Sequence, residues 1–137
     1  MSDSMTLAVN ILGLAKSLLG LVDKLRKVDR ERRERIARLF ENMRTSLVAA
    51  SEEIRNGGVP HGLCSELSHH AESLADLIRI EVGSDQAEEL EHAMTYVCPD
   101  NTMALVFASE QEKSSCLKIL DEASGKFRAL VNILLSA

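Results

Sequence analysis

Length, composition and charge together exclude several classes of protein for this chain. Its 137 residues fit one domain, and a domain of that size can bury a stable core without metals or disulfides. Hydrophobic residues make up 45% and charged residues 27%, with only two prolines, so a disordered or fibrous chain is excluded. Aromatic residues make up 3%, which favours an aliphatic core. We therefore predict a single all-α domain over residues 1–137, folded as an antiparallel bundle of four to five helices.

The net charge of −5 conceals an uneven distribution along the chain. Residues 1–38 carry 9 basic and 5 acidic side chains, a net of +4, whereas residues 39–137 carry 7 basic and 16 acidic ones, a net of −9. A basic segment joined to an acidic body indicates either attraction between the two halves or attraction to an anionic partner.

Cysteine usage and the amino-terminal sequence indicate a location inside the cell. The three cysteines, Cys64, Cys98 and Cys116, are odd in number and widely spaced, so we expect reduced thiols. Residues 1–5 contain no Lys or Arg, which argues against a secretory leader. We expect a cytoplasmic protein, with recruitment to the inner face of the plasma membrane as a further hypothesis.

The first predicted helix, near residues 5–28, has the clearest periodicity. Apolar residues recur along it at alternating intervals of four and three, the spacing of one packed helix face. Lys16 and Asp23 interrupt the apolar sequence, so we do not expect this helix to span a membrane. We predict that its face packs against the second predicted helix, on the apolar side that runs from Ile36 to Ile54. The face consists of Leu7, Ile11, Leu14, Leu18, Leu21, Leu25 and Val28.

Four further helices are predicted from the same periodicity and from residues that begin or end helices. Asp29 is the expected N-cap of the second helix, and Gly57 and Gly58 suit a left-handed conformation at its end. Gly83 is expected to close the third helix, and residues 101–109 are interpreted as a helical turn or loop. The four helices lie near residues 30–56, 60–81, 85–97 and 110–135.

Small residues on another face of the first predicted helix require an explanation. Gly13 and Gly20 each cost about 1 kcal/mol relative to alanine in a helix, and Ser17 lies between them. Close packing within the bundle is one interpretation, and association in a membrane is the other, because small residues let helices approach closely. With the neighbouring positions, the candidate membrane- or partner-binding residues are Leu7, Ile11, Leu12, Gly13, Leu14, Ser17, Leu18, Gly20 and Leu21.

A basic cluster follows the first predicted helix. Anionic lipid is one expected partner, since each surface cation contributes about 1 kcal/mol of attraction at such a membrane. The alternative is a solvated surface with ion pairs such as Glu31 with Arg35 and Glu34 with Arg38. Nucleic acid is not expected, because no aromatic residue lies among the cations. The cluster consists of Lys24, Arg26, Lys27, Arg30, Arg32, Arg33 and Arg35.

No residue pattern in the sequence predicts catalysis or a bound cofactor. Two Glu-x-x-His pairs, Glu66 with His69 and Glu89 with His92, have the spacing found in di-iron bundles, but they lie mostly off the predicted core faces. The isolated His-x-x-Cys at residues 61–64 lacks the second pair of a zinc site. No phosphate-binding loop, nucleophile elbow or catalytic triad is found. We therefore expect no metal, no cofactor and no enzymatic activity.

The order of these segments resembles a known class of domain. Residues 7–25, 29–35, 54–64 and 120–130 are similar to amino-terminal domains of cyanobacterial conflict and NLR-like proteins. More broadly, the helix order resembles the bell or HeLo-like four-helix domains, which include fungal HeLo domains and the executioner bundle of mixed-lineage kinase domain-like protein.

The resemblance implies a non-enzymatic effector of a cell-death or immune response, whose first helix is released, oligomerises and perturbs the inner membrane. Its site residues would be the apolar residues of the first helix and the basic cluster. Expected partners are further copies of the chain, an anionic membrane and helical proteins. The alternative function is an adaptor or sensor bundle that binds a partner protein through helix packing and has no membrane activity.

Overall fold

The computed structural model describes residues 3–58, 62–85, 87–88, 92 and 109–136. All regular secondary structure in these residues is helical, which confirms the predicted all-α class. The helices with defined bounds in this part of the chain are α1 (Asp3–Gly20), α2 (Val22–Leu25), α3 (Arg30–Arg55), α4 (Leu63–Val82) and α5 (Glu110–Ser136).

Capping residues set the ends of α3 and α4. The Asp29 side chain accepts a hydrogen bond of 3.0 Å from the backbone N–H of Arg32, so it caps the first turn of α3 as predicted. After α3, Gly57 has a φ of 84°, and after α4, Gly83 has a φ of 88°. Glycine adopts this left-handed conformation without the steric cost that a Cβ atom brings. The predictions for these two glycines are confirmed, whereas Gly58, which was also expected to suit this conformation, does not have a positive φ.

The first predicted helix is not continuous. Helix α1 ends at Gly20, and the N–H of Leu21 donates to the C=O of Leu18 over 3.0 Å, the i to i−3 pattern of a tight turn. After the short α2, a further turn leads to the N-cap of α3. Leu25 and Val28 nevertheless remain buried in the core. The periodicity therefore identified the buried side chains, but the helix breaks beside a glycine of low helix propensity.

The fourth predicted helix lies mostly outside the described residues. Its described members Asp85, Ala87, Glu88 and His92 are helical, and Ala87 is buried against the core. The remainder of this prediction, and the interpretation of residues 101–108 as a turn or loop, falls on residues that the structure does not describe.

Helix α5 is the element on which α1 and α3 pack, and α4 packs on α3. At the centre, the rings of Phe40 on α3 and Phe127 on α5 lie 6.2 Å apart between centroids, with an angle of 46° between their planes. Tilted aromatic pairs at this separation are favourable beyond the area they bury. The buried residues of α5 are Cys116, Leu120, Ala123, Phe127, Leu130, Val131 and Leu134.

The predicted packing of the first helix on the second was wrong. The main neighbour of α1 is α5, and the helices α1 and α3 both lie against that one helix. Matching length and a short connection favoured adjacent helices, but α5 has one apolar face, buried from Cys116 to Leu134, that contacts both α1 and α3. Closeness along the chain therefore did not determine which helix α1 packs against.

Replacing Phe127 should test the central position of α5. We expect Phe127→Ala to lower the free energy of unfolding by about 3–5 kcal/mol, because a fully buried ring is lost and a cavity remains. The matched control is Leu135→Ala on the same helix, where the side chain is 58% exposed. The control should change stability by less than about 0.5 kcal/mol in the same urea titration. Equal effects of the two changes would contradict this packing.

Candidate functional site

The apolar candidate residues of α1 lie inside the protein. Leu7, Ile11, Leu14, Leu18 and Leu21 are all buried in the common core, with exposed fractions of 0–7%. Leu12 is half-buried and packs at the edge of that core. In this conformation the apolar face of α1 is therefore unavailable to a membrane or to a partner protein.

The small candidate residues of α1 lie on the opposite, exposed side. A Cβ atom built at Gly13 or at Gly20 would meet no neighbouring atom within 4 Å. The hydroxyl of Ser17 donates to the C=O of Gly13 over 3.1 Å, and Val9 nearby is 43% exposed. The interpretation that these glycines permit a close helix contact within the bundle was wrong, because no described helix covers them.

An alanine at Gly13 should stabilise the protein. Gly13 is exposed within a helix and has room for a Cβ atom, so Gly13→Ala should raise the free energy of unfolding by about 0.5–1 kcal/mol. Chemical denaturation of the two proteins side by side measures this difference. A decrease instead would mean that this face of α1 has a close neighbour after all.

Two arginines of the basic cluster bind backbone carbonyls of other helices. The guanidinium of Arg32 donates to the C=O of Leu77 near the end of α4. The guanidinium of Arg33 donates to the C=O of Leu134 in the last turn of α5 over 2.9 Å, and to the C=O of Val28 over 3.0 Å. The C=O of Leu134 is among the last four carbonyls of α5, which carry partial negative charge and lack backbone donors, whereas the C=O of Leu77 lies before the last turn of α4. Arg32 and Arg33 therefore join the start of α3 to the ends of α4 and α5.

Sequence reasoning missed this structural role of Arg32 and Arg33. Both side chains are half-buried, and they lie one helical turn before the buried Ile36 and Ala37. The sequence signal that could have revealed this role is that both arginines continue the buried face of α3 toward its amino end. A count of charges could not reveal it, because it treats all cations of the cluster alike.

Two other arginines of the cluster form surface ion pairs. Arg35 lies 2.8 Å from Glu31, as predicted, whereas Glu34 pairs with Arg30 at 3.2 Å rather than with the predicted Arg38. All four paired side chains are largely exposed, and such pairs contribute at most about 1 kcal/mol each. These pairs neutralise part of the cluster locally.

Three exposed cations of the cluster precede α3. Lys24, Arg26 and Lys27 are exposed on α2 and on the turn that follows it. Arg26 also borders an open hollow of about 310 Å³ together with Asn132, Ile133 and Ser136 of α5. This contact places the end of α2 beside the end of α5, so the exposed cations lie where several helices terminate.

The candidate metal-ligating residues do not converge in the described part of the chain. Glu66 and His69 are both exposed on α4, and His92 is exposed as well. Glu89 and His61 lie outside the described residues, and the side chain of Cys64 is also not described. Across residues 3–58, 62–85, 87–88, 92 and 109–136, no three His, Cys, Asp or Glu side chains form a group suited to a metal ion.

Two titratable side chains have pKa values shifted by burial. Burial, together with the nearby carboxylate of Glu112, raises the pKa of the Cys116 thiol to about 11, so this thiol is a poor nucleophile. Burial lowers the pKa of the half-buried His70, and the neighbouring His69, with ring centroids 5.8 Å apart, acts in the same direction. Glu66 partly opposes this shift.

His70 should make stability depend on pH below neutrality. Its pKa in the folded protein is below the ordinary value of 6.5, so the unfolded chain takes up the proton first. The stabilising contribution is present above pH 6.5 and is lost as pH falls from 6.5 toward the folded pKa. We expect His70→Gln to lose less stability than the parent protein between neutral pH and about pH 5 in urea titrations. Parallel curves would exclude a role for His70.

Comparison with protein-family models, with curated proteins and with solved structures found no match to this chain. The resemblance to bell or HeLo-like domains therefore stays a prediction that rests on segment order. None of the helices in the described residues combines the length and the apolar character needed to cross a lipid bilayer.

Proposed function

We propose that the chain is a non-enzymatic helical effector domain of a cell-death or immune response, which oligomerises and associates with the inner membrane through α1. The proposed arrangement is an antiparallel bundle of four to five helices in one domain. The contacts of Arg32 and Arg33, which bring the start of α3 to the ends of α4 and α5, support opposite directions for neighbouring helices.

The observation that carries the proposal is that α1 packs mainly on one other helix. Helix α1 packs mainly against α5 and is followed at once by the break at Leu21. Helices α3, α4 and α5 have their own contacts, through the Phe40–Phe127 pair and the carbonyl contacts of Arg32 and Arg33. Undocking of α1 would therefore leave the other helices in contact.

Burial of the α1 face makes a trigger necessary. Exposing Leu7, Ile11, Leu14 and Leu18 to water loses about 1.5–3 kcal/mol for each side chain, on the order of 10 kcal/mol in total. The resting protein should therefore keep α1 docked and bind membranes weakly. After undocking, lipid would cover the apolar face while the exposed cations that follow α1 attract anionic headgroups.

A matched pair of core substitutions tests this proposal. Leu18 on α1 and Leu47 on α3 are both fully buried, so replacing either with alanine should cost about 2–5 kcal/mol. Only Leu18→Ala weakens the docking of α1. We expect it to bind anionic liposomes several-fold more than the parent in sedimentation, whereas Leu47→Ala should not. Equal binding by both variants would attribute the effect to general unfolding and contradict the proposal.

The contribution of the basic cluster is best tested at its exposed members. Changing Lys24, Arg26 and Lys27 to Glu in the Leu18→Ala protein should reduce liposome binding most at low salt, because screening weakens this attraction as salt rises. Arg32 and Arg33 are unsuitable, since their carbonyl contacts stabilise the fold. If the Leu18→Ala protein does not bind anionic liposomes at any salt concentration, the proposed membrane association is contradicted.

The second candidate function is an adaptor or sensor bundle without membrane activity. The exposed small-residue side of α1 favours it, because Val9, Gly13, Ser17 and Gly20 offer a shallow surface in the folded protein. A helical partner could approach this surface while α1 stays docked. The Gly13→Ala substitution separates the two functions. It should weaken the binding of such a partner to α1 and leave the liposome binding of the Leu18→Ala protein intact.

A further inference from the structure

The segment that could leave the bundle is limited by contacts on its carboxyl side. Arg33 binds the C=O of Val28 and the C=O of Leu134 together, so the turn before α3 is tied to the end of α5. Leu25 and Val28 are also buried in the core. The first point at which the chain can pivot is the break between Gly20 and Leu21. The mobile unit would therefore be α1, with α2 and the following turn staying in place.

Undocking α1 uncovers two apolar surfaces at once. One is the face of α1 itself, and the other is the side of α5 that α1 covers. A lipid bilayer could cover the first surface but would leave the second in water. An occupant of the same shape as α1 would cover both surfaces, and such a helix is present in every other copy of the chain.

The surface of α5 is already shaped for that occupant. In the folded protein it packs against the α1 side chains of the same chain, including the fully buried Ile11 and Leu18. Between residues 5 and 20, Lys16 is the only charged side chain and it is exposed, so charge does not oppose binding of α1 from another copy. The contacts formed would be those that were lost, and the remaining cost is that of bringing two chains together.

From these observations we infer that two copies of the chain self-associate by reciprocal exchange of α1, each α1 docking on the α5 of the other copy. The exchange rests on the release of α1 proposed above and assigns the interface of the proposed homo-oligomer. It also explains how the α5 surface stays covered after α1 has left its own bundle. Dimer formation should rise with protein concentration and with conditions that loosen α1.

Mixed isotope labelling tests the exchange directly. Light and ¹⁵N-labelled chains are mixed at high concentration in mild denaturant, returned to native buffer, and the dimer is isolated by size exclusion. A lysine-specific cross-linker then joins the exposed Lys16 of α1 to lysines of α5, among them Lys118 and Lys126. If α1 is exchanged, about half of these cross-links should join a light peptide to a heavy one, as random pairing of chains requires. A dimer whose α1–α5 cross-links are almost all light–light or heavy–heavy would overturn the exchange.

A variant and an independent measurement separate this inference from the proposed function. Leu18→Glu places a charge at a fully buried position of α1 and should abolish docking of α1 on any copy, and with it the dimer, whereas Leu18→Ala loosens α1 and should still form the dimer. Circular dichroism checks that the other helices remain folded in both. Hydrogen exchange of the α1 amides in the parent protein measures the release of α1 independently of dimer formation. Fast hydrogen exchange of the α1 amides without any dimer would contradict the exchange of α1 between copies and leave its release intact. If the α1 amides are as protected as those of α3, both the release of α1 and its exchange between copies are contradicted.

Discussion

The packing of α1 and α3 on α5 is the constraint on which the rest of this structure depends. Helix α5 contributes Phe127 to the ring pair with Phe40, and its buried residues extend from Cys116 to Leu134. Because one helix serves two neighbours, loss of either neighbour exposes apolar surface on α5 as well as on the helix that leaves. Undocking of α1 would therefore lower the free energy of unfolding of the whole domain.

The basic cluster divides into groups with different physical roles. Arg32 and Arg33 are directed inward, where their guanidinium groups satisfy carbonyls of α4, α5 and the preceding turn. Arg30 and Arg35 form exposed pairs with acidic neighbours, whereas the cations that precede α3 face the solvent. Because Arg32 and Arg33 are held by carbonyl contacts and Arg30 and Arg35 by ion pairs, the positive charge available to a partner is smaller than the composition of the segment implies.

The apolar face of α1 belongs to the core in the folded protein, and any other use of it competes with that packing. Lipid, a partner helix and the α5 of a second copy differ in how much of the uncovered surface each can cover again. A bilayer covers the α1 face alone, but a second copy restores both sides of the contact. If α1 is released as proposed, the relative population of these states would depend on lipid and protein concentration, since each associates by mass action.

The sequence by itself determined the all-α class, the glycine ends of α3 and α4, the cap at Asp29 and most buried positions of α1. These features follow from local rules, in which side-chain periodicity and backbone conformation act within a few residues. Only the tertiary structure decided that α1 packs on α5, that Gly13 lies open to solvent, and that Arg33 binds carbonyls at Val28 and Leu134. Such choices depend on which surfaces remain uncovered after the helices assemble, and residues far apart in the chain determine that together.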